Sequence, residues 1–163
     1  MLFWGSTLYL SRVFCPGVFC AMVASSIQLL KAAMSAGFTA TELSVINEDD
    51  ALITTLAAPA GKGEPVYLML QRADEYDEQD VAMGMDEPYI EYGGQEFAWY
   101  GHMHAVILHP NRLSVQMDAE AAMQMDDDGQ IDVRFNLTPE RYAQLQQALR
   151  TTFEGCDYYR EER

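Results

Sequence analysis

The recurrence of apolar residues along the chain predicts a set of short strands and two helices. From Phe38 to Ile46 the sequence FTATELSVI partly alternates apolar and polar residues, which predicts a strand with one face inward. A polar turn at Asn47 to Asp50 leads to a second β run, Ala51 to Ala57, and the two form a hairpin. Val66 to Leu70 is apolar at every position. Such a run suits a strand covered on both faces, and we read it as a central strand, although a buried helix leaves the same trace. His102 to His109 and Arg112 to Met117 are β runs joined at Pro110-Asn111. Proline presets φ for a turn and asparagine tolerates the left-handed region, so these runs pair antiparallel. From Gly129 to Leu137, Ile131, Val133, Phe135 and Leu137 alternate with Gln130, Asp132, Arg134 and Asn136, the clearest half-buried strand in the chain.

The helices are marked by their caps. Asp118 precedes Ala119 to Met125, where its side-chain oxygen can accept from a free amide of the first turn, and Asp126-Asp127-Asp128-Gly129 breaks the segment. Thr138 caps the longer helix and Pro139 takes its first position, where a missing N–H costs nothing. Tyr142, Leu145, Leu149 and Phe153 fall on one face while Glu140, Arg141, Gln144, Gln147 and Arg150 face water, so the apolar stripe packs on the sheet. Gly155 ends the helix, and residues 156–163, CDYYREER, read as a frayed tail.

One connection is longer than the rest. Ala73 to Glu87 runs for about fifteen residues, and links of that length are commonly functional or carry a short element of their own. It holds seven carboxylates, Asp74, Glu75, Asp77, Glu78, Asp80, Asp86 and Glu87, and no basic residue. The chain then returns to an aromatic-rich β pattern at Pro88 to Tyr92, passes Gly93-Gly94, and reaches Phe97, Trp99, Tyr100 and Gly101. Met83, Met85, Phe97, Trp99 and Tyr100 are of types enriched at interface cores. Core packing is the ordinary fate of each and is favoured for Phe97. Trp99 and Tyr100, beside glycine and after the acidic stretch, are the better interface candidates.

Charge changes the picture. The chain of 163 residues, enough for one domain with a real core, has 25 acidic and 10 basic residues. The only charged residues before Met34 are Arg12 and Lys31, so Met34 to Arg163 carries 25 acids against 8 bases, a net charge of −17. Such a field repels nucleic-acid phosphates and anionic lipid, and it draws basic partners at a rate that salt screening lowers. By itself it signifies no more than solubility. Met1 to Ala33 stands apart. Within it Val13 to Leu30 is an uncharged stretch of 18 residues, at the lower edge of the about 17 to 25 that span a bilayer, but it contains Pro16, Gly17, Ser25, Ser26 and Gln28. As a signal peptide it lacks a clean A-x-A site. It reads as a signal or anchor, a packed helix, or an over-extended reading frame whose natural start is Met34.

Signs of chemistry are weak. His102 and His104, two apart on a predicted strand, share a face and could begin a metal site with Glu91 or Glu96, but no other spacing supplies the remaining ligands zinc requires. Gln124 to Gly129 partly mimics a calcium loop, with Gln124 where the first aspartate belongs and Phe135 where the closing glutamate belongs. Gly61-Lys62-Gly63 lacks the glycine spacing and the following Ser or Thr of a phosphate-binding loop. Cys15, Cys20 and Cys156 form no metal-type pair and, being odd in number, no secreted disulfide framework. No serine lies in a nucleophile elbow, so no catalytic residue, metal or cofactor is expected.

The succession YLMLQR, DEYDEQD, GMDEPYIEY and WYG, followed by AVILHPNRLSVQM and IDVRFNLTPERYAQLQQALRTTF, resembles the immunity protein ten family of bacterial polymorphic toxin systems, from about Phe38 to Phe153. The resemblance implies a small α+β protein without catalysis, made beside a toxin gene in the bacterial cytoplasm, that binds the toxin and protects the producing cell. It departs from the family in two places: the residues before Met34 have no counterpart, and Tyr100-Gly101-His102 stands where a second glycine is expected. We therefore expect one α+β domain over residues 34–155, a mainly antiparallel sheet of about six strands with the C-terminal amphipathic helix packed on one face. The toxin-binding candidates are Asp74, Glu75, Asp77, Glu78, Asp80, Asp86, Glu91, Glu96, Trp99 and Tyr100. The expected partner is a cognate toxin domain, a basic nuclease fitting best; nucleic acid is not expected, and a membrane only if residues 13–30 are an anchor. An acidic small-ligand or scaffold module is the alternative, and a histidine-based metal-dependent hydrolase a weaker one.

Overall fold

Thr41 divides the first predicted strand and sends its halves into different sheets. In the computed structural model, which describes residues 36–48, 50–59 and 66–162, β1 (Ala36–Ala40) and β2 (Glu42–Glu48) lie on either side of it. Ala40 of β1 and Leu43 of β2 are both buried, so the inward positions pass from even to odd numbers. A single straight strand cannot do this, because its side chains alternate strictly between faces.

The other strands are β3 (Ala51–Ala58), β4 (Val66–Ala73), β5 (Tyr89–Tyr92), β6 (Ala98–Tyr100), β7 (Met103–His109), β8 (Arg112–Met117), β9 (Gln130–Phe135) and β10 (Tyr159–Glu161). The helices are α1 (Glu78–Met83), α2 (Ala119–Met125) and α3 (Pro139–Thr152). The strands form two five-stranded sheets, β1-β9-β8-β7-β10 and β2-β3-β4-β5-β6. The second is antiparallel throughout; the first is antiparallel in its middle and parallel at its edges, where β1 joins β9 and β10 joins β7. The α+β class and the mainly antiparallel pairing are as expected, but the strands are shared between two sheets where one was expected. Gly37 is needed where the first sheet takes up β1, since a Cβ there would lie 2.4 Å from the carbonyl oxygen of Asp132 on β9.

One core joins these parts. Leu43, Leu56, Leu68, Leu70 and Ile90 of the second sheet meet Val106, Leu113, Val115, Ile131 and Val133 of the first, and Leu145, Leu149 and Phe153 of α3 complete the cluster. Thr138 caps α3 as predicted, its Oγ1 accepting from the Arg141 amide at 3.4 Å, and Pro139 opens the helix. The helix is fastened to the second sheet at both ends. Arg141 donates to the Leu43 carbonyl, and Arg72 Nη1 of β4 donates to the carbonyls of Thr152 at 3.0 Å and Glu154 at 2.7 Å, supplying a cation where a helix end presents free carbonyls.

Two local expectations are corrected. β4 is the middle strand of its sheet, but only one face is closed: Leu68 and Leu70 are buried, while Tyr67 and Met69 stand half-buried on the other face. The C-terminal residues are no frayed tail. Tyr159–Glu161 pairs in parallel with Val106–Leu108, the Tyr159 ring stacks on Phe153 with centroids 5.4 Å apart, and Arg150 of α3 donates to both carboxylate oxygens of Glu161 at 2.7 and 2.8 Å. The readings of residues 1–33 and of Gly61-Lys62-Gly63 lie outside the described residues. Among the described residues no helix is long and apolar enough to cross a membrane.

Candidate functional site

The long acidic connection folds around its own caps. Asp77 Oδ1 accepts from the amides of Gln79 at 2.7 Å and Asp80 at 2.9 Å, and the Asp77 amide donates back to Asp80 Oδ2 at 3.0 Å, a reciprocal capping box. Gly84, at φ 68, closes the helix by donating to the carbonyls of Asp80 and Val81. None of the six residues of α1 is buried, so the caps hold it rather than a hydrophobic face. The segment is tied to the sheet at its start, where the Asp74 amide donates to the Asp50 carbonyl at 2.8 Å. Asp74, Glu75, Glu78, Asp86 and Glu87 are left exposed.

α1 sits beside the outer face of the second sheet, the face turned away from the core. The pairing register lays out its rows. Ile46, Ile53, Gln71, Tyr89 and Tyr100 follow one another across five strands; Ser44, Thr55, Met69, Glu91 and Ala98 form the next row. Apolar and aromatic side chains therefore dominate a face that no described helix closes. Tyr100 is 38% exposed and Ile46 43%, and Val81 and Met83 of α1 are more exposed still. An apolar patch edged by carboxylates is the composition of a protein interface, an anchor region inside a polar rim.

Glu91 stands within this face and is 5% exposed. Its two carboxylate oxygens are each engaged: Tyr89 donates to Oε2 at 2.7 Å and Tyr67 donates to Oε1. That hydrogen bond is the first cause of a Tyr67 ionisation pushed up to about 12. For Tyr89 burial comes first and Glu91 second, both raising it. The carboxylate thus keeps two neighbouring phenols neutral and fixes their rings. Among the described residues no arginine or lysine makes an ion pair with Glu91 or with any carboxylate of the acidic connection.

Between α1 and the sheet lies a shallow cleft lined by Gln71, Tyr76, Asp80, Glu87, Tyr89 and Tyr100. The Tyr89 and Tyr100 rings meet at 5.0 Å and 56° on one wall. The Tyr76 hydroxyl is buried and makes no hydrogen bond of normal geometry to the described residues, and burial is the main reason its ionisation is raised.

One of the ten candidates turns inward: Trp99 is 8% exposed, its ring belongs to the core, and its indole N–H donates to Gln124 Oε1 at 3.1 Å. Glu96 is exposed in the turn before β6, its carbonyl accepting from Gln124 Nε2 at 2.9 Å and its charge helping to raise the ionisation of Tyr67. Trp99 and Tyr100 are consecutive in one strand and must face opposite ways, so only one could have belonged to the outer face. Ile46, Tyr67, Tyr89 and Val81, not among the ten candidates, lie on this face or on α1 beside it. The period-two reading of Tyr89-Ile90-Glu91 would have joined Tyr89 to Glu91, but nothing in the sequence brings Ile46 beside them.

The histidine pair does not converge. His102 precedes β7 with a left-handed backbone, φ 58, and its Nδ1 donates to Asp118 Oδ2 at 2.8 Å, while His104 lies at an irregularity of β7 and is exposed. Among the described residues no group of three or more His, Cys, Asp or Glu is placed to hold a metal ion.

The family model described as Immunity protein 10 matches residues 39–143, well over half of the 163 residues and including all ten candidates. No curated protein matches the chain. The matched span therefore leads to one conclusion: this chain belongs to the Immunity protein 10 family.

Proposed function

We propose that the chain neutralises a cognate bacterial toxin by binding it, without catalysis, in the cytoplasm of the producing cell. Membership of the Immunity protein 10 family carries this reading. The outer face of the second sheet, with α1 at its edge, is the surface we assign to the toxin. The exposed apolar side chains Ile46, Met83 and Tyr100 would supply the short-range adhesion, and Glu75, Glu78, Asp86 and Glu87 the attraction that guides approach. A partner matching this surface is basic. Toxins that act on nucleic acids fit best, because their substrate site must itself be positive, and occupying that site would deny it to the substrate.

The test pairs this chain with the toxin domain encoded by the adjacent gene. A stable one-to-one or higher complex in calorimetry, together with loss of toxin activity in the same tube, is expected. A toxin that stays fully active beside a saturating amount of the purified chain would overturn the reading.

A further inference from the structure

We infer that the cleft between α1 and the second sheet is a socket for one basic side chain of the bound protein, an arginine in preference to a lysine. The inference rests on the toxin-binding reading above and gives that surface its specific point of recognition. Three features meet in the cleft. The Tyr89 and Tyr100 rings, in contact at 5.0 Å, present aromatic surface against which a cation can lie. The carboxylates of Asp80 and Glu87 line it, and among the described residues neither makes an ion pair with a lysine or arginine. Tyr76 also lines it, its hydroxyl buried beside the Ala73 backbone without a hydrogen bond of normal geometry to the described residues. Arg72 does not line the cleft, and its guanidinium is held by the carbonyls of Thr152 and Glu154.

The geometry favours a guanidinium. One Asp80 carboxylate oxygen is already taken by the Asp77 amide, which leaves its other oxygen and the Glu87 carboxylate as acceptors on separate residues. A guanidinium has five donors in a flat fork and stacks on aromatic rings, whereas an ammonium is a compact, strongly hydrated charge. The cleft is also shallow, about 70 Å³, enough for the head of one side chain and too small for an organic ligand of ordinary size.

The probes are N-acetyl-arginine amide and its neutral isostere N-acetyl-citrulline amide, titrated into the full chain with the aromatic proton resonances of Tyr76, Tyr89 and Tyr100 followed by NMR. The expected result is saturable movement of these three with the arginine compound at millimolar concentration, as befits so small a ligand. The citrulline compound should move them at least tenfold less, and Glu87→Gln should abolish the response. Equal movement with citrulline, no movement confined to the cleft, or an unchanged response in Glu87→Gln would each overturn the socket. Against the toxin, Glu87→Gln with Tyr100→Ala should weaken binding at least tenfold. If the toxin binds with wild-type affinity to that double variant, the socket falls and the toxin-binding reading stands. If the toxin does not bind the wild-type chain at all, that reading falls, and the arginine titration still decides the socket.

Discussion

Tyr89 gives its hydroxyl proton to Glu91 across 2.7 Å on the outer face of the second sheet, two residues away on the same strand. Tyr67 donates to the other carboxylate oxygen from the neighbouring strand, so a buried carboxylate is held by two phenol donors and, among the described residues, by no arginine or lysine. Such an arrangement is costly to disturb, since an acceptor stripped of its donor keeps its desolvation cost. It also fixes the rings that wall the cleft. The sign of the pH effect follows from Tyr67, whose ionisation is raised to about 12 chiefly by its bond to Glu91. A group raised on folding contributes stability that is fully present below its unfolded value, about 10 for tyrosine, and is lost as pH rises through the folded value. Ultraviolet titration should find Tyr67 ionising near pH 12 in the wild-type chain and nearer 10 in Glu91→Gln. Tyr67→Phe should lower stability by about 1–3 kcal/mol in a denaturant melt at pH 7.

The carboxylates of the acidic connection are not equivalent. Asp77 caps α1 with two accepted bonds, while Glu75 and Glu78 are exposed and make none among the described residues. Asp77→Ala should melt α1, at a cost of about 1 kcal/mol, and should read as lost protection of the Gln79 and Asp80 amides in hydrogen exchange. Glu75→Lys with Glu78→Lys should leave that protection intact. It should instead slow association with the toxin about tenfold at low salt and flatten the dependence on ionic strength, measured by stopped flow. An unchanged association rate in this pair would remove α1 from the interface.

Legibility followed the range of the interactions. Both helix caps at Asp118 and Thr138 were readable, because a cap is a contact with the next few residues. The alternation of Ile131, Val133 and Phe135 was readable for the same reason. The division at Thr41 left a trace in FTATELSVI, where Phe38 and Ala40 are in phase with each other and Leu43 and Val45 are in the opposite phase. That slip shows that the chain turns but not which sheet receives each half. β10 was unreadable as a strand: three residues rich in charge look like a tail until Val106 and Arg150 arrive from elsewhere in the chain. The site suffered most. Ile46 and Tyr100 belong to one row of one face only because three strands intervene between them.

His102 holds a backbone that residues with a Cβ rarely adopt. It follows Gly101, at φ 67, and itself holds φ 58, the conformation a second glycine would adopt freely. For a residue with a Cβ this costs about 1–2 kcal/mol. The bond from its Nδ1 to Asp118 at 2.8 Å, and the acceptance of the Asp118 amide by its carbonyl at 2.8 Å, offset part of that cost. His102→Gly should therefore fall within about 1 kcal/mol of the wild type, because relief of the backbone strain offsets removal of the imidazole bond to Asp118. His102→Val, with a branched Cβ in the same backbone, should be less stable by about 2 kcal/mol or more. Equal destabilisation of both variants, measured by urea unfolding, would mean that the imidazole bond and not the backbone sets the stability of this turn.

Arg150 and Glu161 join the last helix to the last strand, and the pair explains why the chain continues past Gly155. The guanidinium is the first cause holding the Glu161 carboxyl below its usual range. A carboxyl lowered on folding contributes stability that is present above its unfolded value, about 4.3, and is lost as pH falls through the folded value. Because Arg150 is exposed, the pair itself should contribute little, and Arg150→Gln should be mild at pH 7 and no different from the wild type at pH 2. Deleting residues 156–163 removes much more: the ladder to β7, the stack of Tyr159 on Phe153 and the edge-on packing of Tyr158 against the same ring at 6.0 Å. Aromatic pairs contribute about 0.5–1.5 kcal/mol each beyond the area they bury, so a destabilisation of at least about 2 kcal/mol is expected, with exchange protection falling at Val106 and Leu108. A truncated chain as stable as the full one would show that β10 only rests on the first sheet and does not hold it.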